Sequence, residues 1–218
     1  MIKHHVQFFR QFRERFETTG AIAPSSGFLA SAIVGPMKAH SGPLRVLEVG
    51  PGTGAVTKKV VELLKPDDRF DLVEINDSFA EILQNRFEQE HRFQQVAHQS
   101  QIHVCPLQEF DPEERYDYIL SGLPLNNFPP ELVSELFEVF FDLLKPNGVL
   151  SYFEYMYIRS IKKRIGQAAD RNRLKKLDEV IHPYLEAHRF RKSWVFVNLP
   201  PAWVQHLQMK DDGSLNTD

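Results

Sequence analysis

Residues 44–54 read Leu-Arg-Val-Leu-Glu-Val-Gly-Pro-Gly-Thr-Gly, an apolar run that ends in a glycine-rich turn. The apolar part predicts a strand, and the spacing of apolar residues over 56–64 predicts a helix directly after the turn. Glycine lacks a Cβ atom, so Gly50, Gly52 and Gly54 allow the backbone to turn sharply and to approach a ligand closely. A strand, a glycine turn and a helix in this order are typical of a nucleotide-type cofactor site at the carboxyl end of the strand.

Two acidic residues bear on the charge of that ligand. Glu48 lies two positions before the first glycine, where a carboxylate would repel a diphosphate but suits a cation. Glu74 ends the next predicted strand, where a carboxylate can accept hydrogen bonds from both hydroxyls of a ribose. Gly50, Gly52 and Ala55 also satisfy a dinucleotide pattern. The residues alone therefore allow either a dinucleotide or a positively charged nucleotide-type cofactor. Glu48 favours the positively charged cofactor.

The size and composition of the chain predict one α/β domain. It has 218 residues, with 42% apolar and 25% charged residues, which is ordinary globular usage. Its single cysteine, Cys105, cannot form an internal disulfide, which predicts a reducing, cytoplasmic location. No apolar run reaches the roughly 18 residues of a membrane span, and residues 1–10 lack the apolar core of a secretory leader.

Strands and helices alternate along the chain, which predicts a doubly wound, mostly parallel sheet. The predicted strands are 44–49, 69–74, 101–105, 116–121, 148–154, 191–198 and 202–208. The predicted helices are 2–17, 25–34, 55–65, 77–91, 130–144 and 171–188.

Turns and termini complete this outline. A tight turn is expected over residues 145–148, before the fifth strand. The link between the last two strands is too short for a crossover helix, so these strands should pair antiparallel. We expect a single domain over residues 1–209 and a disordered tail over residues 210–218.

Two basic segments interrupt a chain whose formal net charge is −3. Residues 1–16 hold four basic residues and one acidic residue, and residues 159–176, a predicted basic insertion, hold eight and one. Such segments favour a local anionic partner, either lipid headgroups or nucleic acid, although a solvated helix face explains each segment equally well.

The N-terminal region, residues 1–40, is predicted to form amphipathic or lid helices. Phe9, Phe12 and Phe16 recur on one side of the first helix, with basic residues between them. Such a helix can lie in the headgroup plane of a membrane, or its rings can pack on the domain as a lid.

The stretch Val-Leu-Glu-Val-Gly-Pro-Gly-Thr-Gly at 46–54 resembles motif I of class I S-adenosylmethionine-dependent methyltransferases, and Glu74 resembles their second-strand acid. The resemblance covers roughly residues 40–208. It implies a Rossmann-like α/β fold, with a doubly wound seven-stranded sheet whose last strand is antiparallel, and N-terminal helices before it. It also implies S-adenosylmethionine as cofactor and S-adenosylhomocysteine as product. The candidate cofactor-binding residues are Glu48, Gly50, Gly52, Gly54, Glu74, Ile75, Gln108, Ser121 and Gly122.

Three further stretches are similar to the soluble bacterial phospholipid N-methyltransferases, which convert phosphatidylethanolamine stepwise to phosphatidylcholine. They are Gly-Ala-Ile-Ala-Pro-Ser-Ser at 20–26, Ser-Gly-Leu-Pro-Leu-Asn-Asn-Phe-Pro at 121–129 and Asn-Leu-Pro-Pro-Ala at 198–202. The similarity implies N-methylation of a phospholipid amine at an anionic membrane surface. The expected protein is cytoplasmic, peripherally membrane-associated and without an obligatory protein partner.

The first strand also resembles the ribosomal RNA adenine dimethyltransferases. Those enzymes carry Asn-Leu-Pro-Tyr after the fourth strand, where an amide and a proline carbonyl hold the adenine amine and a ring stacks on the base. This chain has Gly-Leu-Pro-Leu at 122–125, without the amide and the ring, which disfavours a flipped adenine and a nucleic-acid partner. A cofactor-binding regulator without activity is a further alternative.

Candidate substrate residues gather at the end of the fifth predicted strand. Glu154 is a candidate base, with His182 or a tyrosine as alternatives. Tyr155 and Tyr157 would share one face if the strand continues, and aromatic faces attract methylated ammonium groups. Packing in the core or at its rim is the alternative explanation for each tyrosine, and for a single tyrosine it is favoured. The histidines show no metal-ligand spacing, so no metal site is expected.

Overall fold

The structure, a computed structural model, describes residues 27–156, 168–198 and 200–210. The helix predicted over 2–17, Tyr157 and residues 211–218 of the predicted tail lie outside these residues. Most of the predicted basic insertion before residue 168 does so too. These four points therefore stay predictions.

The described part of the chain forms one seven-stranded sheet. The strands are β1 (Arg45–Val49), β2 (Arg69–Glu74), β3 (Ser100–Val104), β4 (Tyr116–Ser121), β5 (Leu144–Tyr155), β6 (Arg189–Val195) and β7 (Ala202–Gln208). Their order in the sheet is β3-β2-β1-β4-β5-β7-β6. β7 runs antiparallel to both of its neighbours, and all other pairs are parallel. The predicted doubly wound sheet with a reversed last strand is confirmed.

Helices cover both faces of this sheet. The α-helices of the described residues are α1 (Gly27–Ile33), α2 (Thr57–Val61), α3 (Asp77–Gln89), α4 (His91–Gln94), α5 (Pro130–Leu143) and α6 (Ala168–His188). Successive strand residues point to opposite faces. Val46 of β1 therefore joins the apolar core under α1, α2 and α3, and Leu47 joins the core under α5 and α6.

The start of β5 differs from the prediction of a tight turn over residues 145–148. The strand begins at Leu144, because Leu144 pairs with Tyr116 of β4 and the residues that follow bond to Met209, directly after β7. The N–H of Asn147 donates to the Met209 carbonyl at 3.0 Å, and the Met209 N–H donates to the Gly148 carbonyl at 2.8 Å. Only Asn147, with φ of 62°, keeps the left-handed conformation of a turn residue.

The six parallel strands end at one edge of the sheet, which we call the carboxyl edge. β1 and β4 are neighbours there, although their following helices pack on opposite faces. This strand-order reversal is where doubly wound sheets open a crevice for ligands. No helix among the described residues has the length and apolar content needed to cross a bilayer.

Candidate functional site

The glycine turn after β1 is held in a conformation that only glycine adopts easily. Gly50, Gly52 and Gly54 have φ angles of 66°, 57° and 83°. The N–H of Gly50 donates to the Val73 carbonyl at 2.9 Å, and the N–H of Gly52 donates to Oε2 of Glu74 at 3.0 Å. The glycine turn is thus bound to the end of β2, which brings the glycines and Glu74 together as the sequence predicts.

Arg86 of α3 holds the same turn from its other side. Its Nη1 donates to the carbonyls of Thr53 at 2.8 Å and Gly54 at 3.0 Å. Its other nitrogens bind the Glu90 carboxylate, at 2.6 and 3.1 Å. Arg86 therefore orients the turn without lining the crevice, a role that no sequence motif indicated.

Glu48 is buried beneath the glycine turn with a relative exposure of 1%. Neither carboxylate oxygen makes a hydrogen bond of good geometry. Burial raises the pKa of Glu48 to about 8, although the nearby hydroxyl and N–H of Thr57 lower it. A buried carboxyl group without a partner costs free energy, so this position favours a ligand that brings a positive charge or a donor.

A crevice lies between β1, β2 and the segments after β3 and β4. Four of the predicted cofactor-binding residues line it: Gly50, Glu74, Ile75 and Gln108. Both oxygens of Glu74 already accept a backbone N–H, from Gly52 and Asn76, at 3.0 Å each. These bonds orient the carboxylate of Glu74 at the wall of the crevice, where it can meet a hydroxyl of a ligand.

Ser121 and Gly122 lie beside the crevice and do not line it. Gly122 packs directly on the glycine turn, where a Cβ atom would lie 2.5 Å from the Gly50 carbonyl oxygen. Its N–H donates to the Val49 carbonyl at 2.9 Å. The fully buried Ser121 accepts the N–H of Leu123 with its Oγ at 3.3 Å. Both residues position the segment after β4 against the glycine turn.

Apolar residues that the sequence analysis missed form much of the wall. Leu107 and Leu123 line the crevice and are buried, at 5% and 3% exposure, and Cys105 and Pro106 follow β3. Burial raises the pKa of the Cys105 thiol. Cys105 could have been predicted to line the site, because it follows a parallel strand and ligands of such sheets bind at the carboxyl ends of the strands.

The candidate substrate residues of β5 point to opposite faces of the sheet. Glu154 is buried and accepts the indole N–H of Trp203 at 2.9 Å. Tyr155 packs on Phe153, with ring centroids 5.2 Å apart, and its burial raises its pKa. Adjacent strand residues alternate, so Glu154 and Tyr155 cannot line one pocket from the strand itself. Tyr157 lies outside the described residues.

One cation of the predicted basic insertion has a structural role. Arg173 of α6 donates with its Nη1 to the carbonyls of Asn126 at 3.1 Å and Phe128 at 3.2 Å. It thereby ties α6 to the segment after β4. No group of three or more His, Cys, Asp or Glu side chains in the described ranges is placed to hold a metal ion.

The site fits the cofactor that the resemblance implies. The glycine turn offers a close backbone approach, Glu74 lines the crevice, and neither carboxylate oxygen of the buried Glu48 makes a hydrogen bond of good geometry. A diphosphate in the crevice would meet the carboxylate of Glu74 and no cation among the crevice-lining residues, which disfavours a dinucleotide.

Known proteins agree with this geometry. A family profile described as a methyltransferase domain matches residues 47–150. The ornithine lipid N-methyltransferase of Singulisphaera acidiphila is 30% identical over 155 residues, which cover 71% of this chain and 80% of that protein.

Solved structures share the fold at low sequence identity. The O-methyltransferase TomG from Streptomyces achromogenes, in complex with S-adenosylmethionine, aligns with a TM-score of 0.59 and 17% identity, over 84% of this chain and 79% of that chain. The O-methyltransferase from Bacillus cereus, in complex with S-adenosylhomocysteine, aligns with a TM-score of 0.61 and 14% identity, over 94% and 90%. Sheet order, glycine turn and sequence similarity lead to one conclusion. The chain belongs to the class I S-adenosylmethionine-dependent methyltransferases.

Proposed function

We propose that this protein transfers methyl groups from S-adenosylmethionine to the amine of a membrane lipid, with phosphatidylethanolamine as the first candidate acceptor. The observation that carries the lipid acceptor is the segment after β4. Leu123 and Leu125 are buried there, at 3% and 1% exposure, and neither an amide nor an aromatic ring takes the place that would bind a flipped base. Stepwise methylation would convert the lipid to phosphatidylcholine.

The donor side of the reaction rests on the residues around the crevice. S-adenosylmethionine supplies a methyl group that its sulfonium already activates. Glu74 would accept the ribose hydroxyls, and the apolar wall with Leu107 would cover the adenine ring. Glu48 would ionise beside the positive charge of the methionine part, which offsets the cost of its burial.

The acceptor amine must be neutral when it attacks the methyl group. Removal from water lowers the pKa of an amine, so an apolar approach to the crevice would favour the neutral form. Glu154 stays the candidate for receiving the proton or for pairing with the methylated ammonium. Its position next to the last residue of β5, its burial and its bond to Trp203 support this candidate.

The similarity to a known lipid enzyme favours a second acceptor. The relative from Singulisphaera acidiphila is an ornithine lipid N-methyltransferase. An ornithine headgroup also presents a primary amine at a membrane surface, but it has no phosphate. Both acceptors therefore require the same site for S-adenosylmethionine. They differ in which protein residues would bind the headgroup, because only phosphatidylethanolamine carries a phosphate.

Both acceptors call for peripheral contact with a membrane. The N-terminal helix over residues 2–17 is the predicted anchor, with its basic residues on anionic headgroups. This part of the proposal rests on the sequence, since the helix lies outside the described residues.

The acceptor is tested with methyl-labelled S-adenosylmethionine and three substrates in parallel: vesicles with phosphatidylethanolamine, vesicles with ornithine lipid, and unmodified ribosomal RNA. We expect label in lipid and none in RNA. Glu74→Ala should abolish label in every arm, and Glu62→Ala, which changes a surface acid far from the crevice, should not.

Each other outcome has a definite meaning. Label in RNA alone would replace the lipid by the nucleic-acid alternative. Tight binding of S-adenosylhomocysteine without transfer to any amine would favour the regulator. Calorimetry that shows tight binding of a nicotinamide dinucleotide, and no heat from S-adenosylhomocysteine, would overturn the donor site itself.

A further inference from the structure

Three large apolar side chains at the end of β6 face solvent. Trp194, Phe196 and Val197 have relative exposures of 55%, 64% and 70%, and we call them the aromatic ridge. The rings of Trp194 and Phe196 stack with their centroids 5.7 Å apart. Exposed apolar groups that cluster in this way usually mark an interaction surface, whereas single exposed residues do not.

The ridge lies at the same edge of the sheet as the methyl-transfer site. Trp194 pairs with Trp203 of β7, and Trp203 pairs with Glu154 of β5. Trp194 is therefore level with Glu154 at a distance of two strand spacings, about 10 Å. Phe196 and Val197 follow Trp194 beyond the carboxyl edge.

Cations accompany the ridge. Arg189, Arg191 and Lys192 precede it on β6, and no acidic residue occurs between positions 189 and 198. The Lys192 ammonium lies 3.6 Å from the centroid of the Trp203 ring and 5.0 Å from that of Trp194. This edge strand therefore combines aromatic rings with positive charge.

We propose that the aromatic ridge docks the protein on an anionic lipid bilayer, with Trp194 and Phe196 in the interfacial region and the β6 cations on the headgroups. The proposal rests on the lipid substrate proposed above. Tryptophan prefers the membrane–water interface, because its ring is apolar and its N–H is polar. Each arginine or lysine near an anionic surface adds to the attraction. Docking here would bring the headgroups to the edge where the donor site opens.

A second copy of this chain fits the ridge less well. An interface between two β6 strands would gather six basic side chains, three from each copy, without an acidic residue between positions 189 and 198 to offset them. Three exposed side chains also bury much less area than a stable dimer needs.

Tryptophan fluorescence tests directly how deeply the aromatic ridge enters the bilayer. The chain has two tryptophans, so one substitution isolates the signal of the other. Trp203→Phe leaves Trp194 as the only one. With the full-length protein and anionic vesicles that contain lipids brominated on their acyl chains, we expect a blue shift and strong quenching of Trp194 emission. Emission that stays unshifted and unquenched, although the protein binds the vesicles, would overturn the proposal.

Vesicle flotation without S-adenosylmethionine tests the energetic contribution of the ridge. The double variant Trp194→Ser/Phe196→Ser should bind anionic vesicles about tenfold less than the wild type. The matched control is Phe190→Ser, since Phe190 is 51% exposed on the same strand but near its opposite end. It should bind as the wild type does. Equal binding of all three proteins, or an equal loss in both variants, would contradict docking at the ridge.

Docking and substrate choice can fail separately in these experiments. Flotation and quenching do not depend on turnover, so they report on the ridge even if no lipid is methylated. With a short-chain, monodisperse lipid amine as substrate, the double variant should turn over as fast as the wild type. With vesicles as substrate, the double variant should be much slower than the wild type. Dimerisation that the double variant abolishes in gel filtration, together with unchanged flotation, would assign the ridge to a second copy instead.

Discussion

Glu48 is the residue whose chemistry says most about the ligand. It is buried beneath the glycine turn, and burial raises its pKa to about 8. The carboxyl group is therefore mostly protonated at neutral pH without a ligand. Because the folded pKa lies above the unfolded value, this group stabilises the ligand-free fold at low pH. That stability is lost as pH rises from about 4.5 to about 8.

A cationic ligand reverses the preference of Glu48 for its neutral form. We expect S-adenosylmethionine to release a proton on binding near neutral pH, so its affinity should rise from about pH 6 to about pH 8 and then level off. Calorimetry in buffers with different ionisation enthalpies measures this proton release.

Glu48→Gln is the control for that prediction. An amide of the same shape cannot ionise, so the variant should bind S-adenosylmethionine more weakly and without proton release. An unchanged pH profile in the variant would show that another group titrates and that Glu48 does not meet the positive charge.

Gly122 tests how closely the segment after β4 must approach the glycine turn. In Gly122→Ala the added Cβ would lie 2.5 Å from the backbone oxygen of Gly50, so one of the two segments must move. We expect affinity for S-adenosylhomocysteine to fall by about tenfold or more, measured by calorimetry. Gly27→Ala is the control, since a Cβ there meets nothing within 4 Å. Equal affinities of the two variants would contradict the close-contact argument.

At the scale of elements, α3 fixes the glycine turn through one side chain. Arg86 binds two carbonyls of the turn and the Glu90 carboxylate of its own helix end, and its guanidinium lies 4.4 Å from the Phe93 ring centroid. This side chain therefore joins α3, α4 and the turn. A planar fork with several donors can make these contacts together, whereas an ammonium cannot.

Arg86→Lys should accordingly weaken cofactor binding while the charge is kept. We expect about tenfold lower affinity for S-adenosylmethionine, with a melting temperature that falls only slightly. Arg92→Lys is the matched control, because Arg92 binds Glu62 at the surface and is 65% exposed. If both variants bind the cofactor equally well, Arg86 does not orient the turn.

At the scale of the whole molecule, His206 links the reversed strand to both of its neighbours. It is fully buried, its Nδ1 lies 2.8 Å from Oγ of Ser151 on β5, and its Nε2 lies 3.3 Å from Oγ of Ser193 on β6. Burial, with a smaller contribution from Arg191, lowers the pKa of His206 to about 4. The imidazole is thus neutral in the fold and charged in the unfolded chain at mild acidity.

This difference predicts acid sensitivity of the whole sheet. Stability from His206 is complete above its unfolded pKa of 6.5 and is lost as pH falls towards about 4. In urea unfolding, the advantage of the wild type over His206→Asn should shrink by about 2 kcal/mol between about pH 7.5 and about pH 5. His98→Asn, at an exposed position, is the matched control for the substitution itself. An advantage independent of pH would show that His206 does not titrate as argued.

The sequence predicted the strands and helices well, but it predicted only some of the residues that line the crevice. Strand and helix positions follow from local apolar spacing, so all seven strands of the sheet were expected within a few residues. Of the candidate cofactor residues, Glu74 and Gly50 meet at the crevice because they lie at the ends of two paired parallel strands, which the sequence pattern predicts. Arg86 was missed because it reaches the turn from another helix, and Leu123 because a leucine in the wall of a crevice has the same sequence pattern as a leucine in the core.

The chain's own pattern determined that this is a doubly wound sheet with a glycine turn and two acidic residues at the ends of its first strands. Glycine conformation and strand period are properties of neighbouring residues, so they can be read locally. Only the tertiary structure decided that Glu48 makes no hydrogen bond of good geometry, that Gly122 packs on the glycine turn, and that Trp194 is level with Glu154. These features depend on strand order and register, which bring together residues far apart in the chain.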